Sequence, residues 1–395
     1  MDRVLHLFAV VLVTVALVYR VRALRRRPDP GVRAMVESLV WLDIALVIGF
    51  LQLRLVDLLG VPALPQLVQH IAVLAAAFAL AKFTLYLRLD DQEVGRRARG
   101  RLAVLVLGCT GLVVFYLLGP LPEGIPVING VYGDRPFVLE YLTLYNIALG
   151  WALVDVAVSA RVARHVPLRW LRRGLRLLTW GAAAGLLYVG HKAVYSAVRA
   201  FGGSLPWEEH GPAGIGTLIV LPAIVLLMAG VLVPPLGPVW DARRAYRALT
   251  PLWRALMEQA PELRFNRPTS TSESRAAARL RGRVVEIRDV LVGPLQMYLT
   301  PSLAERARAL AAAQGLSGEA LDIAAEAAVI AVALRLRSSG LPPLTATPAQ
   351  FGYSDSADPD RDVARLVQLS RAFSTSPIAN TLLEEVFADE QPAHH

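Results

Sequence analysis

The sequence predicts an all-α polytopic membrane protein: a seven-transmembrane-helix bundle over residues 1–237, N-terminus outside, followed by a cytosolic α-helical domain over residues 238–395. Three observations predict it. The chain of 395 residues is 55% hydrophobic and 18% charged, with a mean hydropathy of +0.46, more apolar than a soluble protein of this length needs. Seven segments reach the roughly 20 mostly apolar residues that cross a bilayer. Charge is unevenly placed: residues 1–240 carry 23 Lys+Arg against 14 Asp+Glu, whereas residues 241–395 carry 18 of each.

The spans are expected at about 4–21, 34–59, 65–88, 102–119, 138–160, 177–198 and 214–236. The loops after the first, third and fifth read RVRALRRRPDPGVR, DDQEVGRRARGR and RVARHVPLRWLRRGLR. Those after the second, fourth and sixth, LGVPALP, GPLPEGIPVINGVYGDRPF and AFGGSLPWEEHGP, are poor in arginine. Arginine-rich short loops stay in the cytoplasm, which places the C-terminus on the cytoplasmic side of the cell membrane. The first span has little basic charge before it and LRRR after it, so it reads as an uncleaved anchor, not a signal peptide.

After VPPLGPVW the composition turns alanine- and arginine-rich with helical periodicity. Pro238 is expected to open a helix running to about Ala260. Ser272 or Ser274 is expected to cap the next one, which Pro294 should kink or end. Thr300-Pro301 reads as a cap followed by proline at the first helical position. Ser317 to Leu336 is the most apolar stretch of this region and reads as its buried central helix. Helices at about 359–374 and 380–389 follow.

Ionisable residues within spans are costly and face the bundle interior. Because alternate helices run in opposite directions, depth sorts them. Arg54, Asp57, His70, Glu140, His191 and Lys192 lie in the outer half; Asp43, Lys82 and Asp155 lie toward the inner side. Asp43, Arg54 and Asp57 share one stripe of the second span, either as a packing pair (Arg54–Asp57) or as the wall of an aqueous cavity. Lys82 and Lys192 are the only lysines beside 39 arginines, and both fall within spans. Lys82 has Asp43 or Asp155 as candidate partners. In GHKAVYSAVR, Lys192 lies on the face of the sixth span that carries the small-residue run GAAAG, Gly181 and Gly185. Pairing with Glu140 or Asp57, snorkelling to the outer surface, and ligand or proton handling are its candidate roles.

Several chemistries are excluded or disfavoured. The seventh span has no lysine for a retinal Schiff base. GxxxxGK[ST], HExxH and GxSxG are absent. The C-terminal region has no histidine before His394, so it holds no phosphoacceptor histidine. His70 and His191 have no third histidine at ligand spacing, which leaves no expected metal site. The single cysteine, Cys109, lies in an apolar run and reads as a buried hydrophobe. No cofactor and no enzymatic activity are expected. The basic excess lies in the membrane half, so no nucleic-acid partner is expected.

The segments PLWRALMEQAPELRF and RGRVVEIRDVLVGPLQMYL, behind seven spans, resemble a family of actinobacterial membrane proteins that carry an automated transporter label. Pro251, Leu252, Trp253 and Arg254, then Val285 through Asp289, are the most recognisable pieces. The resemblance implies architecture, with a cytosolic helical domain of unknown function, and no catalytic residue. Read from the residues alone, VVEIRDVL is amphipathic: Val284, Ile287 and Leu291 face inward, and Glu286, Arg288 and Asp289 the polar side. That side is either a solvated face or, with Trp253 and Arg254, a partner-docking surface.

Two functions are therefore expected of a protein whose first partner is the lipid bilayer. One is a sensor or regulatory protein whose cytosolic domain recruits a protein. The other is a secondary transporter for a small polar or charged solute, which requires a water-filled path between the outer and inner groups.

Overall fold

The structure is a computed structural model that describes residues 3–26, 28–119, 128, 130–132, 134–162, 167–209, 214–264, 275–342, 358–375 and 377–390. Ser272 and Ser274, expected as a cap, lie outside the described residues. Among those described the chain forms helices and no strand. It divides into two compact units, Met1–Gly237 and Pro238–His395.

The first unit contains α1 (Arg3–Arg26), α2 (Pro30–Leu59), α3 (Leu64–Tyr86), α4 (Asp91–Leu118), α5 (Val138–Val162), α6 (Arg169–Ala200) and most of α7 (Ile215–Ala248). Local chemistry sets the ends. Asp29 caps α2 by accepting from the Val32 N–H at 2.8 Å, with Pro30 at the first turn, and Gly60 closes it at φ 66°. Asp90 caps α4 through the Glu93 N–H at 2.8 Å, and Asp91 and Glu93 add negative charge to its first turn.

Six of these helices, α1 to α5 and α7, are long and apolar enough to cross a membrane. The remaining expected span, the sixth, is α6, which is 32 residues long but falls short on apolarity. Arg169, Arg172, Arg173 and Arg176 polarise one end, and His191 with Lys192 lowers the other. It nevertheless packs inside the unit, where glycines let its backbone approach its neighbours. A Cβ on Gly181 would lie 2.8 Å from the Leu227 nitrogen of α7, and one on Gly230 of α7 would lie 2.9 Å from the Gly174 oxygen of α6. A Cβ on Gly185 would meet Leu153 of α5 at 3.0 Å.

The expectation that Pro238 opens a helix is corrected: α7 runs unbroken through Pro234, Pro235 and Pro238 and ends at Ala248. Proline costs a helix the hydrogen bond to the carbonyl four residues back. The carbonyl that Pro235 leaves unserved is that of Val231, and the buried Arg20 guanidinium of α1 donates to it at 2.6 Å.

In the second unit α8 (Thr250–Gln259), α9 (Arg275–Val292), α10 (Pro301–Ala313), α11 (Gly318–Ser338), α12 (Pro359–Thr375) and α13 (Ile378–Glu390) follow the last turns of α7. Helix α11 is buried from Ile323 to Ala333 except at Ala331, and α8, α10, α12 and α13 pack around it. Thr300 caps α10, its hydroxyl accepting from the Leu303 N–H. The break between α7 and α8 is closed by Ser370 of α12, which donates to the Ala248 carbonyl at 2.8 Å and accepts from the Leu252 N–H at 3.4 Å. Arg337 donates to the carbonyls of Pro294 and Gln259, joining the ends of α9 and α8 to α11.

Candidate functional site

The main buried polar cluster of the first unit gathers at the arginine-poor end, where the α2–α3, α4–α5 and α6–α7 connections lie. Lys192 of α6 is 6% exposed, and its ammonium stands 3.1 Å from the carboxylate of Glu209, which is 2% exposed. Neither Glu140 nor Asp57 is the partner; both are exposed. Glu209 belongs to the α6–α7 connection, in the WEEHGP stretch. Gly130 sits against the same group: a Cβ there would meet Tyr195 at 2.7 Å and the Glu209 and Ser196 side-chain oxygens at 3.1 Å each. The lack of a side chain at Gly130 lets its backbone lie against the pair. On the α6 surface the Lys192 ammonium also lies 6.0 Å from the centre of the Tyr188 ring.

His191, the residue before Lys192, accepts at Nε2 from the Trp207 indole N–H at 3.3 Å. His70 of α3 lies apart from it, its Nδ1 2.9 Å from the Tyr141 hydroxyl and its ring stacked on Tyr145 at 4.0 Å. The two histidines therefore have separate partners. No group of three metal-ligating side chains occurs among the described residues.

Other buried or half-buried charges are held pairwise. Asp43 accepts from the Thr14 hydroxyl at 2.8 Å. Lys82 is 3.7 Å from Glu37, not beside Asp43 or Asp155. Both carboxylate oxygens of Asp155 accept from one edge of the Arg101 guanidinium, from Nε at 2.7 Å and Nη2 at 2.5 Å. Arg54 and Asp57 are exposed, and no ion pair joins them among the described residues. Sequence reasoning missed Glu37, Arg101 and Glu209 because each sits at the rim of an apolar run. The signal for Glu209 was available: a two-glutamate step in a connection otherwise free of charge.

The partner-docking candidates of the second unit separate into two sets. Glu286 is not on a solvated face: it is 7% exposed and accepts from the Trp253 indole N–H at 2.6 Å. Arg283, 6% exposed, is stacked between Tyr246 and Trp253, 3.5 and 4.3 Å from the ring centres. It donates to the Tyr246 carbonyl at 2.6 Å and the Thr250 hydroxyl at 2.9 Å. Burial pulls its pKa down, and Tyr246 and Glu286 push back. This core ties α7, α8 and α9 together and leaves Trp253 and Glu286 little surface to offer a partner. Arg254, Arg288 and Asp289 are exposed, and Arg288 reaches Asp362 at 2.5 Å. In the centre of the unit Glu326, 4% exposed, accepts from Arg365 at 2.8 Å. Burial raises the pKa of Glu326, Arg365 opposes that, Asp322 adds to it and Arg308 opposes.

Residues 239–376 match the model of a family of unknown function (DUF6545). The match covers most of the second unit and brings neither an organism nor an activity. No curated protein and no solved structure matches the chain.

Proposed function

We propose that this multi-pass protein is a sensor or regulatory protein of the cell membrane, and that its C-terminal domain binds a cytosolic protein. In this reading α6 also crosses the bilayer, as the sixth of seven spans, the N-terminus is outside, and no catalytic step is assigned. The single observation that carries it is the disposition of the buried charge. Thr14–Asp43, Glu37–Lys82, Arg101–Asp155 and Lys192–Glu209 each join a different pair of elements. A transport path needs polar groups that face a common channel and exchange partners. Pairs closed on themselves hold helices together and release nothing. A crevice between α3, α4 and α5, lined by Leu74, Phe78, Val104, Trp151 and Arg101, has room for about 20 Å³, little more than a water molecule needs and too little for a solute to pass.

The C-terminal region supplies the output in this reading. It has a core of its own, with Leu252, Ile287, Ile330 and Leu382 fully buried. Crosslinking of the full-length protein in its native membrane, followed by identification of what Arg254 and Asp289 reach, tests the proposal. One recurrent cytosolic partner, lost in R254E or D289R protein that still folds, is the expected result. No recurrent partner, together with solute uptake into proteoliposomes that is abolished in K192M/E209Q protein that still folds, would establish the transporter instead.

A further inference from the structure

The last four turns of α7 have two different faces. Ala242 and Tyr246, with Leu249 just past the helix end, follow at steps of four and three and turn inward: Ala242 and Leu249 are buried, and Tyr246 stacks on Arg283. On the other side Trp240, Arg243, Arg244 and Arg247 follow one another at steps of three, one and three, so they share one helical face. Trp240 is 68% exposed and all three arginines are exposed. None of the three has a carboxylate partner among the described residues. That sets them apart from Arg33 and from Arg96 and Arg97, which are as exposed but paired with Glu37 and Glu93.

Length decides where this face lies. Helix α7 has 34 residues, about 51 Å at 1.5 Å per residue, against a hydrocarbon core of about 30 Å. Counting about 20 residues from Ile215 puts the hydrocarbon edge near Pro235. Trp240 is then about 8 Å beyond it and Arg243 and Arg244 about 12 Å beyond. That is the depth at which indole rings settle and at which arginine, reaching back along its own stem, meets lipid phosphate.

We infer that the Trp240–Arg243–Arg244–Arg247 face of α7 binds the headgroup phosphates of anionic phospholipids. The chemistry fits: guanidinium forks match phosphate oxygens two at a time, and three uncompensated positive charges on one face are complementary to a negatively charged leaflet. The inference is independent of the sensor reading, because lipid binding here needs neither a ligand in the bundle nor a cytosolic protein. It adds a dependence on membrane charge at the helix that enters the C-terminal domain.

The test uses the full-length protein in nanodiscs containing both phosphatidylglycerol and phosphatidylcholine. Lipids retained on extraction are counted by native mass spectrometry. The wild type should retain phosphatidylglycerol preferentially. R243Q/R244Q/R247Q should lose about fivefold of that preference per arginine, roughly 100-fold in all. The corresponding triple lysine variant should keep most of it, which shows that the loss in the glutamine variant is one of charge and not of folding. R33Q/R96Q/R97Q removes as many charges from paired positions and should behave as wild type. A wild type with no preference, as expected if the arginines serve an acidic protein instead, overturns the inference. So does an equal loss in the two glutamine variants, which would make the effect one of net charge alone.

Discussion

In Met1–Gly237 large apolar side chains such as Leu107, Leu117, Trp180 and Leu187 turn outward, each more than 60% exposed, while Lys192 and Glu209 are hidden. In Pro238–His395 the only large apolar side chains that turn outward among the described residues are Trp240, Val285, Val292 and Met297. The hidden ones form a leucine- and alanine-rich core around α11. Both units are built of helices, so the difference lies in what each helix must exclude. In lipid, burying a leucine against another leucine gains little, because the tails are as apolar as the side chain. Cohesion there comes from backbones brought close at Gly174, Gly181 and Gly230 and from polar partners that have no other place to go. In water the apolar core itself is the driving force.

That contrast is broken most directly by removing one half of the Lys192–Glu209 pair. K192A leaves a carboxylate buried without its cation, and truncating one partner of a buried pair costs about 3–5 kcal/mol. The expected result is loss of the folded membrane unit, read as a lower thermal midpoint in neutral detergent. K192M/E209Q removes both charges together and should recover most of the loss. If K192A is as stable as wild type, the pair is not what closes the arginine-poor end.

In the C-terminal unit the corresponding blow is to remove apolar volume. Ile330 of α11 is fully buried, and I330A should cost about 2–5 kcal/mol through lost transfer energy and the cavity left behind. The C-terminal unit should then unfold at lower urea in pulse proteolysis while the membrane unit is unchanged. A comparable truncation on the outward face of the first unit, L107A, should leave its thermal midpoint where it was. A large effect of L107A would erase the distinction between the two environments.

The small-residue seam gives a third, smaller test. In G230V the added side chain meets the Leu178 nitrogen and the Gly174 oxygen, both backbone atoms, so the helices and not a rotamer must yield. Overpacking of this kind costs about 1–3 kcal/mol. The thermal midpoint should fall in G230V and much less in G190V, because a Cβ at Gly190 meets nothing within 4 Å.

What the sequence made legible follows the same division. The apolar spans and the small-residue face of α6 could be read directly, because length and spacing within one helix decide them. The central helix of the C-terminal unit was legible for the same reason. The partners of Lys82, Asp155 and Lys192 were not, because a partner depends on which helices touch and at what height. Glu37, Arg101 and Glu209 lie at the ends of their segments, where long side chains bend inward. Glu286 was misplaced on a solvated face because helical periodicity assigns faces by polarity. A buried carboxylate held by a tryptophan looks, in sequence, like a surface charge. Pro238 misled because a proline normally marks a boundary, yet α7 continues through it as it does through Pro235, whose freed carbonyl takes its hydrogen bond from an arginine more than two hundred residues away.

The last prediction asks whether the C-terminal unit ever uses a buried charge as the membrane unit does. Glu326 accepts from Arg365, yet burial outweighs that attraction and holds its pKa above the ordinary value of 4.5. A carboxyl raised in the folded state binds its proton more tightly there than in the unfolded chain. Stability contributed by the protonated form is therefore lost as pH rises from the ordinary carboxyl range through the raised value, and the penalty persists at neutral pH. E326Q keeps an oxygen for Arg365 and removes the charge. It should therefore be more stable than wild type at neutral pH. The gap should close as pH falls below the raised value. Urea midpoints of the C-terminal unit, taken by pulse proteolysis of the full-length protein across that range, supply the measurement. If E326Q is instead the weaker protein at neutral pH, the ion pair with Arg365 outweighs its burial. Glu326 would then do in water what Glu209 does in lipid, and the contrast between the two units would rest on their apolar surfaces alone.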